Sequence, residues 1–270
     1  MKRVLPVLLA FTFLLASCQT QPVAETPQAV EEVELYVFAA ASLTETFEQI
    51  GALFEAANPG VKVIFTFDSS GTLKTQIEQG AIADVFVSAA QKQMNELEAG
   101  NAANTTDLDF VLADTRVNIV ENKVTLVVAA GNPADVQTFS DLTSDKVNVI
   151  ALGNSDVPVG QYSEELLTNL GIWEQIQPKV TFGSNVKEVT TWLSEGVAEC
   201  GIVYKTDAFS ANLEVVDEAG SDLLKTPVVY PGAVMKNSLH PTEAQAFLDF
   251  LRSANAQAIL VGVGFSIPSN

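Results

Sequence analysis

Residues 34–67 read ELYVFAAASLTETFEQIGALFEAANPGVKVIFTF, and this stretch decides the fold class. Glu34 to Ala39 is a short apolar, β-rich run and predicts a strand. From Leu43 to Ala57 the apolar residues Leu43, Phe47, Ile50 and Phe54 recur at helical spacing, which predicts an amphipathic helix. Val61 to Phe67 then reads as a second strand. The alternation continues with a helix over Thr72–Gln79, a strand over Asp84–Ser88 and a helix over Gln91–Ala99. Strands separated by helices of this length imply an α/β architecture with mostly parallel pairing.

Arg116 to Ala130 breaks the pattern, with two β-rich runs around Glu121-Asn122 and a turn at Gly131-Asn132-Pro133. It reads as a strand crossing into a second lobe. That lobe has its own alternation: strand Val147–Leu152, helix Gly160–Asn169, strand Lys179–Phe182, helix Val186–Glu195 and strand Cys200–Tyr204. Pro227–Met235 is a second β-rich run that brings the chain back, and Thr242–Val263 supplies a broken helical pair. The expectation is a two-lobed clamshell, each lobe a mostly parallel sheet flanked by helices, with two crossing strands as hinge. Lobe 1 is expected to comprise residues 33–120 and 227–270, and lobe 2 residues 121–226. Ligands of such sheets bind beyond the carboxyl ends of strands, here in the cleft, where helix N-termini also gather.

The start of the chain has a different character. Met1-Lys2-Arg3 precedes an uncharged run from Val4 to Ser17, the composition of a secretory signal, and the run is too short to span a bilayer. Leu15-Ala16-Ser17-Cys18 resembles a bacterial lipobox, so residues 1–17 are expected to be removed and Cys18 to carry lipid. Residues 18–32, rich in Gln, Pro, Ala, Glu and Thr, read as a flexible tether. An exported protein, lipid-anchored at the outer face of the cytoplasmic membrane or in the periplasm, follows. Cys200 is the second of two cysteines and, before an apolar run, reads as a small buried hydrophobe.

Formal charge is −19, and loss of Lys2 and Arg3 with the leader deepens the deficit by two. With no Lys/Arg cluster, nucleic acid is excluded as a partner. A hydrolase would want a histidine near a serine, yet His240 is the single histidine and lies in a helix-entry loop, and no Gly-x-Ser-x-Gly occurs. No metal-ligand spacing, P-loop or dinucleotide fingerprint is present. Tyr36, Tyr162, Tyr204 and Tyr230 do not cluster in sequence as ferric ligands would.

Four strand-to-helix junctions carry the functional signal. Ala41-Ser42-Leu43-Thr44-Glu45 has the spacing of a capping box, and Asp68-Ser69-Ser70-Gly71-Thr72 is a hydroxyl-rich turn. Val157-Pro158-Val159-Gly160 opens a third helix, and Gly183-Ser184-Asn185-Val186 a fourth. Each taken alone is most simply a helix cap. Recurrence in both lobes points to an anion held at helix N-termini.

In order and wording these segments resemble the periplasmic molybdate-binding protein family, from Val33 to Pro268. The resemblance rests on Phe38-Ala39-Ala40-Ala41-Ser42-Leu43-Thr44, Ser69-Ser70-Gly71-Thr72-Leu73, Ala83-Asp84-Val85-Phe86-Val87-Ser88-Ala89, Val157-Pro158-Val159-Gly160-Gln161-Tyr162 and Gly201-Ile202-Val203-Tyr204. It implies a type II periplasmic-binding fold without enzymatic activity or cofactor. It also implies a molybdate or tungstate ligand delivered to the permease and ATPase of an ABC importer by a monomeric binding protein. The oxyanion would be held through its oxygens, with no direct metal ligands, by the hydroxyls of Ser42 and Ser70, the backbone N–H groups of Val159 and Val186, and the phenol of Tyr204. Sulfate, another tetrahedral dianion, remains an alternative ligand. Three positions depart from the family pattern: Asp68, expected to point away or cap its turn; Val159, where a backbone donor tolerates the change; and Gly71, in place of a residue that is often Ser, expected not to matter for Ser70.

Overall fold

The apolar runs form strands and the amphipathic runs form helices, arranged around two five-stranded sheets in the computed structural model, which describes residues 32–220 and 222–268. The expected leader, the lipidated Cys18 and all of the tether except Glu32 lie outside the described residues. The chain begins with β1 (Val33–Ala40), α1 (Thr44–Ala57), β2 (Val61–Asp68), α2 (Ser70–Glu78), β3 (Val85–Val87), α3 (Gln91–Leu97) and β4 (Val117–Asn122). It crosses at Lys123 into β5 (Val124–Val128), followed by β6 (Ile150–Gly153), α4 (Pro158–Asn169), α5 (Trp173–Ile176), β7 (Val180–Gly183) and α6 (Val186–Ser194). Then come β8 (Cys200–Tyr204), α7 (Lys205–Ser210) and β9 (Glu214–Glu218), before the return as β10 (Val228–Val234), α8 (Pro241–Leu251) and α9 (Ala254–Gly262).

The sheets share one plan. In the first, with strand order β2-β1-β3-β10-β4, β2 and β3 pair with β1 in parallel and β10 runs antiparallel between β3 and β4. In the second, with order β7-β6-β8-β5-β9, β7 and β8 are parallel to β6 and β5 runs antiparallel between β8 and β9. The sheets are thus mixed rather than mostly parallel in pairing. The strand that opposes its neighbours is in each case the one that has just crossed, because it enters the sheet from the opposite lobe. Both β5 and β8 are buried along their whole length, which explains their unbroken apolar sequences.

Several boundaries differ from the sequence expectation. Helix α2 starts at Ser70 rather than Thr72, α4 at Pro158 rather than Gly160, and β6 at Ile150 rather than Val147. Helix α7 and strand β9 were not foreseen. Phe209 and Val215 are largely exposed there, and β9 is an edge strand carrying Glu214, Asp217 and Glu218, so neither segment has the apolar period that would betray it.

The return segment is tied to the first lobe through aromatic packing. The Phe247 ring of α8 meets Phe47 and Phe54 of α1 edge-on, with centroids 6.2 and 5.2 Å apart, and all three side chains are essentially inaccessible. Cys200 is free and fully buried, and burial pushes its thiol up to about 12, as befits a core residue. Phe247→Ala is expected to cost about 3–5 kcal/mol by leaving a cavity under α8. Urea unfolding should show a lower midpoint at unchanged slope.

Candidate functional site

The carboxyl ends of β1, β2, β6 and β7 each run directly into a helical turn, and those turns face one another across the seam between the sheets. They border a small, tight hollow lined by Ala40, Ala41, Ser42, Ser69, Ser70 and Tyr204, with Asp68, Ala89, Val157, Pro158 and Val186 completing the wall. No lining residue is cationic. A larger open groove behind the crossings, flanked by Glu121, Lys123, Glu218 and Lys225, mixes both signs of charge and receives no converging helix N-termini.

Ser70 opens α2, while its neighbour Ser69 is the N-cap and accepts from the Thr72 N–H at 3.1 Å. That division of labour frees Ser70. Its Oγ accepts the Ala89 N–H at 2.9 Å, so its own proton remains for another acceptor. Ser42 does not cap α1, contrary to the capping-box spacing: it lies in a 3₁₀ turn over Ala41–Leu43, and Leu43 occupies the N-cap position without a side-chain bond. Its Oγ is instead 2.9 Å from the Tyr230 hydroxyl. The spacing predicted a cap, but the extra turn rotates the serine away from the helix end.

Backbone donors come from first turns, where N–H groups have no carbonyl four residues back. In α6, Asn185 caps the Glu188 N–H at 3.1 Å and leaves the Val186 N–H, at the wall, uncommitted. In α4, Pro158 stands at the first position and has no N–H, so Val159 is the first residue with one. Val159 is itself fully buried and the hollow is faced by Val157 and Pro158, so only its main chain can serve. Gly160 lets this turn approach the end of β6, since a Cβ there would stand 2.3 Å from the Gly153 carbonyl oxygen.

Tyr204 lies at the wall as expected, but its hydroxyl donates to the Ala89 carbonyl at 3.1 Å. That carbonyl can only accept, so the phenol proton is engaged across the seam rather than aimed into the hollow. Tyr204 packs against Tyr230, centroids 5.7 Å apart, and burial raises both phenols well above their ordinary range. Both are therefore neutral O–H groups, unsuited as phenolate ligands of ferric ion.

The lobes touch around the hollow. The Gly71 N–H donates to the Asp156 carbonyl at 3.0 Å, and a Cβ on Gly71 would fall 2.4 Å from that oxygen. Glycine at position 71 thus permits a close approach between lobes, a role separate from any effect on Ser70. Gln93 Nε2 donates to Gln161 Oε1 at 3.3 Å, and Lys187 of α6 bridges to Glu45 of α1 at 2.8 Å. Lys187 is also 3.3 Å from buried Asp207. Burial pushes the Asp207 carboxyl up to about 6 against the pull of Lys187, with Glu45 adding to the rise. For Lys187 burial works against the charge, but Asp207 and Glu45 outweigh it and its pKa is raised. Asp68 accepts the N–H of the next residue, Ser69, at 2.7 Å, while the cap of α2 is Ser69 itself, and Asp68 receives the Asn185 amide from the other lobe at 3.5 Å. It nevertheless remains part of the wall.

Ser42, Ser70, Val186 and Tyr204 thus meet at one hollow, whereas Val159, next in the chain to Pro158 of the wall, is not among the residues that line it. Two residues around it carried no sequence signal: Tyr230, on the returning strand, and Asn122, at the crossing. Each looks like an ordinary strand residue until the fold brings residue 42 against residue 230. Among the described residues, no group of three His, Cys, Asp or Glu side chains is placed to hold a metal ion.

Residues 35–266 match the family described as bacterial extracellular solute-binding protein. The molybdate-binding protein ModA of Escherichia coli is 36% identical over 248 residues, covering 88% of this chain and 90% of the relative. YvgL of Bacillus subtilis, whose name calls it an ABC transporter substrate-binding lipoprotein, is 33% identical over 255 residues, covering 94% and 93%. Among solved structures, the periplasmic molybdate-binding protein of Azotobacter vinelandii superposes with a TM-score of 0.75 at 24% identity, covering 87% of this chain and all of that one, a likeness of fold. The chain belongs to the bacterial extracellular solute-binding proteins, non-enzymatic components of transport that include the ModA molybdate-binding proteins.

Proposed function

We propose that this protein captures molybdate, and with it tungstate, outside the cytoplasm and delivers it to the permease and ATPase of an ABC importer. The observation that carries the reading is the hollow itself: neutral donors from four helical turns converge on it, and no lining residue is cationic. Such a site suits an anion without ionisable protons, since the serine hydroxyls and first-turn N–H groups at it can each give a hydrogen bond. Helix N-termini add partial positive charge without the desolvation cost of a buried lysine. Ser42 and Ser70 would supply hydroxyl donors, and Val159 and Val186 backbone donors. Tyr204 would play a lesser part, because it must leave the Ala89 carbonyl before it can donate.

Residues 33–120 and 227–270 would act as one lobe and 121–226 as the other, closing about the crossings. Donors on both sides engaging one anion favour the closed form through contacts that the open form lacks. The Gly71–Asp156 and Lys187–Glu45 contacts then complete the closed surface offered to the permease. We place the protein at the membrane as a monomer held by lipid on Cys18, a reading supported by the lipobox-like sequence and by the lipoprotein name of YvgL.

Isothermal titration with molybdate, tungstate and sulfate in parallel tests the ligand. Tight binding of the first two with sulfate silent is expected; binding of sulfate alone would change the assignment. Ser42→Ala and Ser70→Ala should each lose a charge-assisted bond of about 1.5–3 kcal/mol, a drop in affinity of roughly tenfold to a hundredfold. Tyr204→Phe should lose less. Gly71→Ala should remain folded but fail to compact when molybdate is added, a difference readable by small-angle X-ray scattering against the wild-type protein.

A further inference from the structure

We infer that Tyr230 and Asn122 are positioning residues of this site, forming with Ser42 a directed hydrogen-bond relay that leaves Ser42 able to present only its proton to the bound anion. The inference rests on the anion-binding reading above and adds to it the origin of the donor character of Ser42.

The direction of the relay follows from one unambiguous donor. The Lys123 backbone N–H, at the crossing, donates to Asn122 Oδ1 at 2.9 Å. A backbone N–H cannot accept, so the carboxamide oxygen must face it and the amide nitrogen must face the other way. There Nδ2 meets two hydroxyls, Thr206 Oγ1 at 2.9 Å and Tyr230 Oη at 3.2 Å. Both accept. Ser42 Oγ at 2.9 Å is the other direct hydrogen-bond partner of Tyr230 Oη, and the relay assigns it the phenol proton, so that Ser42 accepts on that side. The serine proton is left for the hollow that Ser42 lines.

Ser70 reaches the same state by a shorter route, because the Ala89 N–H fills its acceptor side directly. The relay does for Ser42 through two side chains what the main chain does for Ser70. Asn122, Tyr230, Thr206 and Ser42 are all buried, so water does not compete to reorient them. Local backbone helps to set Tyr230. The pairing of β10 with β4 shifts register between Tyr230 and Pro231, where the proline has no N–H to give the ladder.

The relay begins at the residue before the first crossing and passes along the strand of the second, so the state of Ser42 is set by hinge geometry.

The test is a set of molybdate titrations on purified Tyr230→Phe, Ser42→Ala, Asn122→Asp and the two doubles Tyr230→Phe/Ser42→Ala and Asn122→Asp/Tyr230→Phe, each checked for wild-type folding by circular dichroism and thermal unfolding. Tyr230→Phe should weaken binding by about threefold to tenfold, since Ser42 loses its fixed donor but keeps its hydroxyl. In the Ser42→Ala background the same change should add nothing, because Tyr230 acts through Ser42; a merely structural tyrosine would add its full effect. Asn122→Asp offers Tyr230 a carboxylate, turns the relay round and makes Ser42 donate inward, so affinity should fall well below that of Tyr230→Phe. Removing the phenol from that variant should restore binding towards the Tyr230→Phe level, whereas a loss caused by the new charge alone would persist. Wild-type affinity in Tyr230→Phe, additivity with Ser42→Ala, or no recovery in the Asn122→Asp double would each overturn the relay while leaving molybdate binding intact. A wild-type protein that binds sulfate in place of molybdate would move the ligand and leave the same series to be read with sulfate. If none of the oxyanions binds, both the function and the relay fall.

Discussion

Everything around the hollow answers to one constraint: an oxyanion taken out of water must meet donors, and no group beside it can be allowed to turn an acceptor inward. Serine hydroxyls do not satisfy this by themselves, since each can give or receive. They become dependable donors when their acceptor side is filled. Ala89 N–H does this for Ser70, and the Tyr230 hydroxyl is aligned to do it for Ser42. The fold supplies the rest by aiming the first turns of α4 and α6 at the same point, where unpaired N–H groups are a property of any helix start.

The protein carries a strongly acidic surface, with a formal charge of −19, yet the reading it supports is capture of an anion. The two are compatible because the hollow is local and its donors are fixed in place. Salt screens charges beyond about 8 Å at physiological ionic strength, while fixed dipoles inside the seam act at contact distance. Asp68 is the one carboxylate in the wall, and its commitment to the Ser69 N–H and proximity to the Asn185 amide temper it. Lys187, next in the chain to Val186 of the wall, is held by Asp207 and Glu45, so it serves the seam between lobes rather than the hollow.

The shared plan of the two sheets explains how the crossings come to matter for the site. Each crossing strand enters antiparallel and lies one strand in from an edge of its new sheet, with β5 running directly beside β8, which ends at Tyr204, and β10 carrying Tyr230. A change in hinge geometry would therefore be felt by the side chains that pack against the hollow. Gly71 shows the same economy from the other direction, since the residue that follows a binding serine is also the point of closest approach between lobes.

The α/β alternation, the crossing near Glu121-Asn122 and the return after Pro227 are legible in the sequence, because burying one face of a helix or both faces of a strand leaves a trace along the chain. The sequence also marked Ser42, Ser70, Val159, Val186 and Tyr204 through short motifs whose order resembles one family. Where burial is weak, as at Phe209 and Val215, no trace remained, and α7 and β9 were invisible. Packing between distant segments sets what no motif announces: Tyr204 gives its proton to Ala89, Gly71 is sterically required, and Asn122 and Tyr230 stand behind Ser42. These facts depend on contacts between residues separated by 85 positions or more, such as the 115 between Tyr204 and Ala89 and the 188 between Ser42 and Tyr230. Hydrogen-bond direction is set by which donor lies across the gap, and that information is absent from any local stretch of chain.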